Sequence, residues 1–286
     1  MLSRLNHPCI VRFWGVVPVE ERKPQPTAPQ LGLARSSHDS ASSLGSRGRV
    51  SFQSRSKLSL GLVLDRCDES LEDVLHYEPL LPLPAAVHIA ERIACGLKYL
   101  HTEAPLRVVH GDLKPANVLL KGLASGTHLI QLTDFGLSST IAVHTMSMGA
   151  QNLQVGRGFA GQSAGCTLWW AAPELLEAWA QGLSAPHTFA GDMYAFGLIL
   201  YQLLVGRWPY TGMFTAEDAL KAAVRKGTRP SWAGLEEVRG GKAAAVVDKL
   251  KTLVEACWAH DAAKRLTAQQ VHAQLVELQH EVLADV

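Results

Sequence analysis

The residues best suited to chemistry lie in the stretch Val109-His110-Gly111-Asp112-Leu113-Lys114-Pro115-Ala116-Asn117-Val118-Leu119-Leu120. An aspartate carboxylate accepts a hydroxyl proton. A lysine ammonium neutralises charge on a phosphoryl group in transfer, and an asparagine ligates a metal ion through its carbonyl oxygen. Asp112, Lys114 and Asn117 fall between two apolar runs, so they read as a loop between short strands that turns all three side chains into one cleft. A solvated surface charge is the ordinary fate of a single aspartate, and it is the grouping that argues against it here.

Such a loop needs rigid support. Pro84 to His101 reads as a helix: proline suits a first helical turn, and Ile89, Ile93, Leu97 and Leu100 make one buried stripe beneath the loop. His88 and His101 read as structural or exposed groups, not metal ligands. Lys121 to His128, with Gly122 and Gly126, reads as a hairpin turn that brings Asp134 back towards Asp112.

The loop resembles the catalytic loop of eukaryotic protein kinases, H-R-D-L-x-x-x-N, with Gly111 in the arginine position. Thr133-Asp134-Phe135-Gly136 resembles that family's D-F-G motif, and Ala172-Pro173-Glu174 its A-P-E motif. Asp192-Met193-Tyr194-Ala195-Phe196-Gly197 is similar to the start of the family's αF helix, whose aspartate caps amides of the catalytic loop. Cys257-Trp258 through Arg265-Leu266-Thr267 resembles C-W-x-x-D-P-x-x-R-P-[ST], which implies an Arg265–Glu174 ion pair. The Trp169-Trp170 and Cys257-Trp258 pairs, together with Lys114 and Thr167, resemble the tyrosine-kinase-like branch, whose members mostly phosphorylate Ser/Thr.

The resemblance implies an α+β fold with a mainly helical C-lobe and a protein Ser/Thr kinase that uses ATP and Mg2+. Asp112 would be the base, assisted by Lys114 and Thr167. Asn117 and Asp134 would hold magnesium, whose hard ions take oxygen ligands. Leu62 to Cys67 resembles the fifth strand and hinge, which implies nucleotide contacts at Leu64, Asp65 and Cys67, and at Leu119 across the cleft.

Leu5-Asn6-His7-Pro8-Cys9-Ile10-Val11 resembles the L-x-H-P-N-I-V that follows the family's αC helix. The family's glycine-rich loop, third-strand lysine and αC glutamate precede that motif, and neither a G-x-G-x-x-G nor a V-A-I-K-like strand occurs in this sequence. The expected organisation is therefore an N-lobe remnant over residues 1–65, with strands from Ile10 to Val17 and from Leu58 to Leu64, and a C-lobe over 66–286. Phosphate transfer by this chain alone is expected to be weak or absent, and the alternative reading is an inactive kinase-like scaffold or binding module.

Residues 18–57 shift in composition, with Pro24, Pro26 and Pro29 followed by a Ser-rich basic tract, and read as a disordered insertion. Ser70 and Thr267 read as helix N-caps, Asp192 as leading a helix over Ala190 to Val205, and Lys242 to Val286 as helical. Gly111 removes the arginine that receives an activation-segment phosphate in the family, so activity is expected not to depend on that switch.

Composition bounds the rest. The chain has 286 residues, 47% hydrophobic and 19% charged, enough for a sizeable core. A net charge of +1 gives no field for nucleic acid or a membrane surface. Cys9, Cys67, Cys95, Cys166 and Cys257 lie far apart with no C-x-x-C, which reads as reduced thiols and not as a zinc site. No run approaches the roughly 18 apolar residues of a membrane span, and Met1 to Gly15 does not read as a signal peptide. The expectation is a soluble cytoplasmic or nuclear protein whose partners are a protein substrate and a regulatory protein.

Overall fold

A computed structural model of the chain describes residues 2–20, 58–122, 129–134, 139–141, 167–239, 241 and 243–284. Residues 21–57, most of the expected insertion, and 123–128, most of the expected hairpin turn, lie outside the described residues, as do Phe135 and Gly136 of the D-F-G motif and most of the segment up to Thr167.

The chain divides into two compact units, Trp14–Val63 and the remainder. The smaller contains most of strands β1 (Phe13–Glu20) and β2 (Leu58–Leu64), which pair with each other. β1 starts later than Ile10 and continues through Pro18. Proline lacks the N–H for a central ladder but is tolerated at a strand edge. Ile10 instead makes an isolated parallel bridge to Leu132, flanked by Leu132 N–H donating to Cys9 O (2.8 Å) and Val11 N–H to Leu132 O (2.9 Å).

The larger unit is mainly helical. After the short strand β3 (Glu69–Ser70), α1 (Leu71–Tyr77) opens on a full capping box: Ser70 Oγ accepts from Asp73 N–H, and Asp73 returns the contact to Ser70 N–H, each at 3.1 Å. α2 (Leu83–Lys98) buries Ile89, Ile93 and Leu97. It stops short of His101 because Tyr99–Glu103 widens into a π turn. Strand β4 (Arg107–Val109) follows, then β5 (Val118–Lys121), β6 (Leu129–Leu132) and β7 (Ser139–Ile141). β5 pairs antiparallel with β6 and with β3, and β4 pairs antiparallel with β7.

α3 (Pro173–Ala180) precedes α4 (Phe189–Val205). α4 buries every residue from Asp192 to Val205, so it is apolar all round and forms the axis of the core. Its N-cap is Thr188, whose hydroxyl accepts from Gly191 N–H at 2.9 Å. Asp192 therefore sits inside the first turn and does not lead the helix. Gly206 closes α4 with a left-handed φ of 72°, a conformation glycine takes without strain.

α5 (Glu217–Arg225) and α6 (Leu235–Arg239) follow, then α7 (Ala244–Cys257) and α8 (Ala268–Ala284). The helical stretch expected over Lys242 to Val286 is two helices, the last opening at Thr267 as its capping box predicts. An Asp261-capped turn over Ala262–Lys264 interrupts it, and a Thr267–Gln270 capping box restarts it. α8 packs along α2, and α7 and α2 pack against α4. Among the described residues no helix is long and apolar enough to cross a membrane.

Candidate active site

The loop joining β4 to β5 is anchored from below by Asp192. One carboxylate oxygen accepts from His110 N–H at 2.8 Å and the other from Gly111 N–H at 2.9 Å. The first oxygen also lies 2.8 Å from His101 Nε2. Burial alone would push the Asp192 carboxyl up. The hydrogen bond and charge of His101, with His110 and the Gly111 amide, hold it below its ordinary value instead. The π turn explains how His101 reaches this place, where its ring packs against Phe189 with centroids 4.5 Å apart. Gly111 takes φ of 80°, a left-handed conformation suited to glycine.

Above this anchor the polar side chains converge. Lys114 Nζ donates to Asp112 Oδ2 at 2.8 Å. Asn117 Nδ2 donates to the Asp112 carbonyl at 2.7 Å and to Asp112 Oδ2 at 3.1 Å. One carboxylate oxygen of Asp112 thus receives an ammonium and an amide, which fixes its rotamer. Pro115–Asn117 forms a single 3-10 turn that closes on strand β5.

The β5–β6 register sets the next residue. Val118 faces Leu132, and Thr133 N–H donates to Asn117 O at 3.0 Å, so Asp134 follows directly beside Asn117 in the fold. Asp134 is exposed and has φ of 59°. Aspartate is among the few non-glycine residues that visit this region. The donor chemistry fits a hard divalent cation: with the Nδ2 hydrogens spent on Asp112, Asn117 has its carbonyl oxygen left to offer, and Asp134 adds a carboxylate.

Of the residues expected to meet the nucleotide, Cys67 and Leu119 both adjoin Gln131. Cys67 Sγ contacts Gln131 Oε1 at 3.6 Å, and Leu119 pairs with both Ser70 and Gln131 across the sheet. Asp65 N–H donates to Arg12 O at 3.0 Å, and Leu64 ends β2. Thr167 opens a 3-10 turn over Thr167–Trp170, while the expected contact of its hydroxyl with Asp112 and Lys114 lies outside the described residues.

Beside Asp112 a cleft is lined by Gly111, Trp170, Ala172, Leu175, His187 and Thr188. Arg265 ties one wall of it to the core. Its guanidinium forks onto both Glu174 oxygens at 2.7 Å each. His187 was not apparent from the sequence, because a loop residue has no periodicity to mark it. Burial pushes its imidazole below the ordinary value, against the charges of Asp192 and Asp112. Gln131 was equally silent: it is a buried polar residue in a strand, donating to the Pro8 and Ile10 carbonyls at 3.1 and 3.3 Å.

A family model described as the protein kinase domain matches residues 1–276. The chain is 29% identical over 199 residues to a mitogen-activated protein kinase kinase kinase of Drosophila melanogaster, covering 68% of this chain and 14% of that protein. It is 28% identical over 214 residues to the serine/threonine-protein kinase STY46 of Arabidopsis thaliana, covering 74% and 31%. With the serine/threonine-protein kinase mos of Xenopus laevis it shares 33% identity over 198 residues, covering 69% and 48%. The chain thus spans less than half the length of each of these relatives.

Proposed function

Because this chain belongs to the protein kinase family, we propose that it transfers the γ-phosphoryl group of ATP to a serine or threonine hydroxyl of a protein substrate. The observation that carries this reading is the Asp112 carboxylate, held at 2.8 Å by Lys114 and 3.1 Å by Asn117 at the edge of a cleft. A carboxylate fixed in this way orients an incoming hydroxyl and takes its proton. Lys114 supplies positive charge next to the point of transfer, where electrostatic positioning provides most of the catalysis. Asn117 and Asp134 would hold Mg2+, which when bound with ATP neutralises charge on the phosphates. Asp65 and Cys67 would present backbone to the adenine edge, with Leu64 and Leu119 as apolar contacts to the base. The names of the relatives support serine/threonine acceptors, as does Lys114 next to Asp112.

The test is transfer of labelled phosphate from MgATP to a generic basic protein, by the wild-type chain and by Asp112→Asn. We expect weak transfer by the wild-type chain, as phosphoserine and phosphothreonine, and a drop of about 100- to 10,000-fold, to background, in the variant. Product that is phosphotyrosine alone would sink the acceptor assignment. Equal rates in the two proteins would sink the role of Asp112, and no transfer by the wild type to any acceptor would sink the enzymatic reading.

A further inference from the structure

Cys9 and Cys95 are distant in sequence, yet the fold brings the two thiols close enough for each to shift the titration of the other. Both are free thiols; Cys9 is buried and Cys95 half-buried. Their segments are pressed together. Gly96, next to Cys95 in α2, lies so near the Cys9 backbone that a Cβ there would come within 3.1 Å of Cys9 O and 2.9 Å of Leu132 Cδ1. Cys9 cannot swing away from α2 easily, because its carbonyl accepts from Leu132 N–H at 2.8 Å and its N–H donates to His7 Nδ1 at 3.1 Å.

Polar groups ring Cys95. Glu91 is forked by Arg92 at 2.7 and 2.9 Å, and His272 Nε2 lies 2.9 Å from Glu91 Oε1. Ligand atoms of Glu91, Cys95 and His272 lie within 4.8 Å of one another, which raises the question of a metal. Both Glu91 oxygens already serve Arg92, however, and that cation beside the cluster opposes a second one. The same cation favours a thiolate. The Cys95 thiol is pushed down to about 6 by the hydrogen bond from Cys9, with Arg92 and His272 adding to it against burial. That same hydrogen bond and burial push the Cys9 thiol up. Cys95 is half-buried beside Arg92 and His272 and is the accessible sulfur, whereas Cys9 is buried and shielded.

We propose that Cys95 and Cys9 form a hydroperoxide-sensitive pair, in which Cys95 is oxidised first and Cys9 resolves it to a disulfide. The Cys95 thiolate attacks one oxygen of hydrogen peroxide. The O–O bond breaks, and the departing hydroxide takes a proton to leave as water, so Cys95 becomes a sulfenic acid. The Cys9 sulfur then attacks the Cys95 sulfur. The S–O bond breaks, and the leaving hydroxide takes the Cys9 proton as a second water. Two thiols and one peroxide give one disulfide and two waters, with the sulfurs oxidised and the peroxide reduced. The bridge would join α2 covalently to the segment whose backbone holds Leu132, in the strand that leads to Asp134. This inference goes beyond the phosphotransfer reading and does not depend on it.

The test treats the native full chain with hydrogen peroxide, alkylates the remaining thiols and maps the peptides by mass spectrometry. We expect a Cys9–Cys95 linked peptide, lost on treatment with a dithiol reductant, while Cys67 and Cys257 remain alkylatable. Oxidation of Cys95 to a sulfinic acid with Cys9 still alkylatable overturns the proposal, as does prior reaction at Cys67 or Cys257. In Cys9→Ser, a dione probe for sulfenic acid should label Cys95 at least several-fold more than in the wild type. Equal labelling of both proteins overturns the resolving role of Cys9. Should Cys9→Ser fail to fold, the wild-type peptide map decides alone.

Discussion

His101 Nε2 lies 2.8 Å from Asp192 Oδ2, and both side chains are buried beneath the loop that carries Asp112. The same carboxylate accepts the amides of His110 and Gly111, so one side chain closes several bonds. Asp192→Ala should cost about 3–5 kcal/mol, because it strands the buried His110 N–H, the half-buried Gly111 N–H and a buried histidine. Asp192→Asn retains one accepting oxygen but turns an N–H2 towards a donor, and should cost about 1–3 kcal/mol. Urea unfolding of the two variants checks the order; equal midpoints for Asp192→Ala and the wild type contradict it.

Acid should destabilise the protein earlier than carboxylate titration alone would. Burial pushes the fully buried His110 imidazole below its ordinary 6.5, against the pull of Asp192, Asp112 and Asp134. The folded state then keeps it neutral where the unfolded chain already binds a proton. Its contribution is fully present above 6.5 and is lost as pH falls below that value. His7 and His187 are shifted in the same direction by burial. Asp192, held below its ordinary 3.8, has the same sign but acts only at lower pH. The urea midpoint should be flat above about pH 7 and fall from about pH 6.5 downward. A midpoint that rises between pH 7 and 5.5 contradicts this account.

Arg265 should not be replaceable by lysine. Besides the fork on Glu174, its N–H groups donate to the carbonyls of Ala259 (2.9 Å), Ala190 (2.8 Å) and His260 (3.4 Å). Lysine has fewer donors and no fork, and it would leave some of these acceptors unpaired. Arg265→Lys should cost about 2–3 kcal/mol, at roughly 1 kcal/mol for each bond lost. Glu174 is half-exposed, so Glu174→Gln should cost less than Arg265→Lys. Thermal unfolding that ranks the two the other way rules out this division.

Much of the site could be read locally. Asp112, Lys114 and Asn117 are close in sequence, and a loop between apolar strands brings them together without distant help. Ser70 and Thr267 cap helices through neighbours three residues on, which is why both caps were legible, although the return contact from Asp73 that completes the Ser70 box was not. The Arg265–Glu174 contact spans far more chain and came only through family resemblance. What the sequence hid shares one cause: a polar group paired across the fold has no local pattern. His101 on Asp192, Gln131 on the Pro8 and Ile10 carbonyls and Cys9 on Cys95 are of this kind. The start of α4 was missed because Thr188 caps it before the apolar run begins, and the π turn at Tyr99 because its residues read as ordinary helix.

Gly111 replaces an arginine of the family motif, and its backbone explains what restoring that residue would do. Its φ of 80° is pinned by the amide bond to Asp192 Oδ1 at 2.9 Å, so it cannot relax without breaking the anchor. An L side chain there costs about 1–2 kcal/mol. Gly111→Ala and Gly111→Arg should therefore lose similar stability, since the strain lies in the backbone and not in the size of the side chain. Loss in Gly111→Arg alone would point to crowding in the neighbouring cleft instead. The glycine also offers no positive charge beside Asp112. Replacing Ser and Thr between Ser138 and Ser163 by Ala should then leave phosphate transfer within a few-fold of wild type. Near-complete loss of transfer would mean that another cation reads a phosphate in that segment.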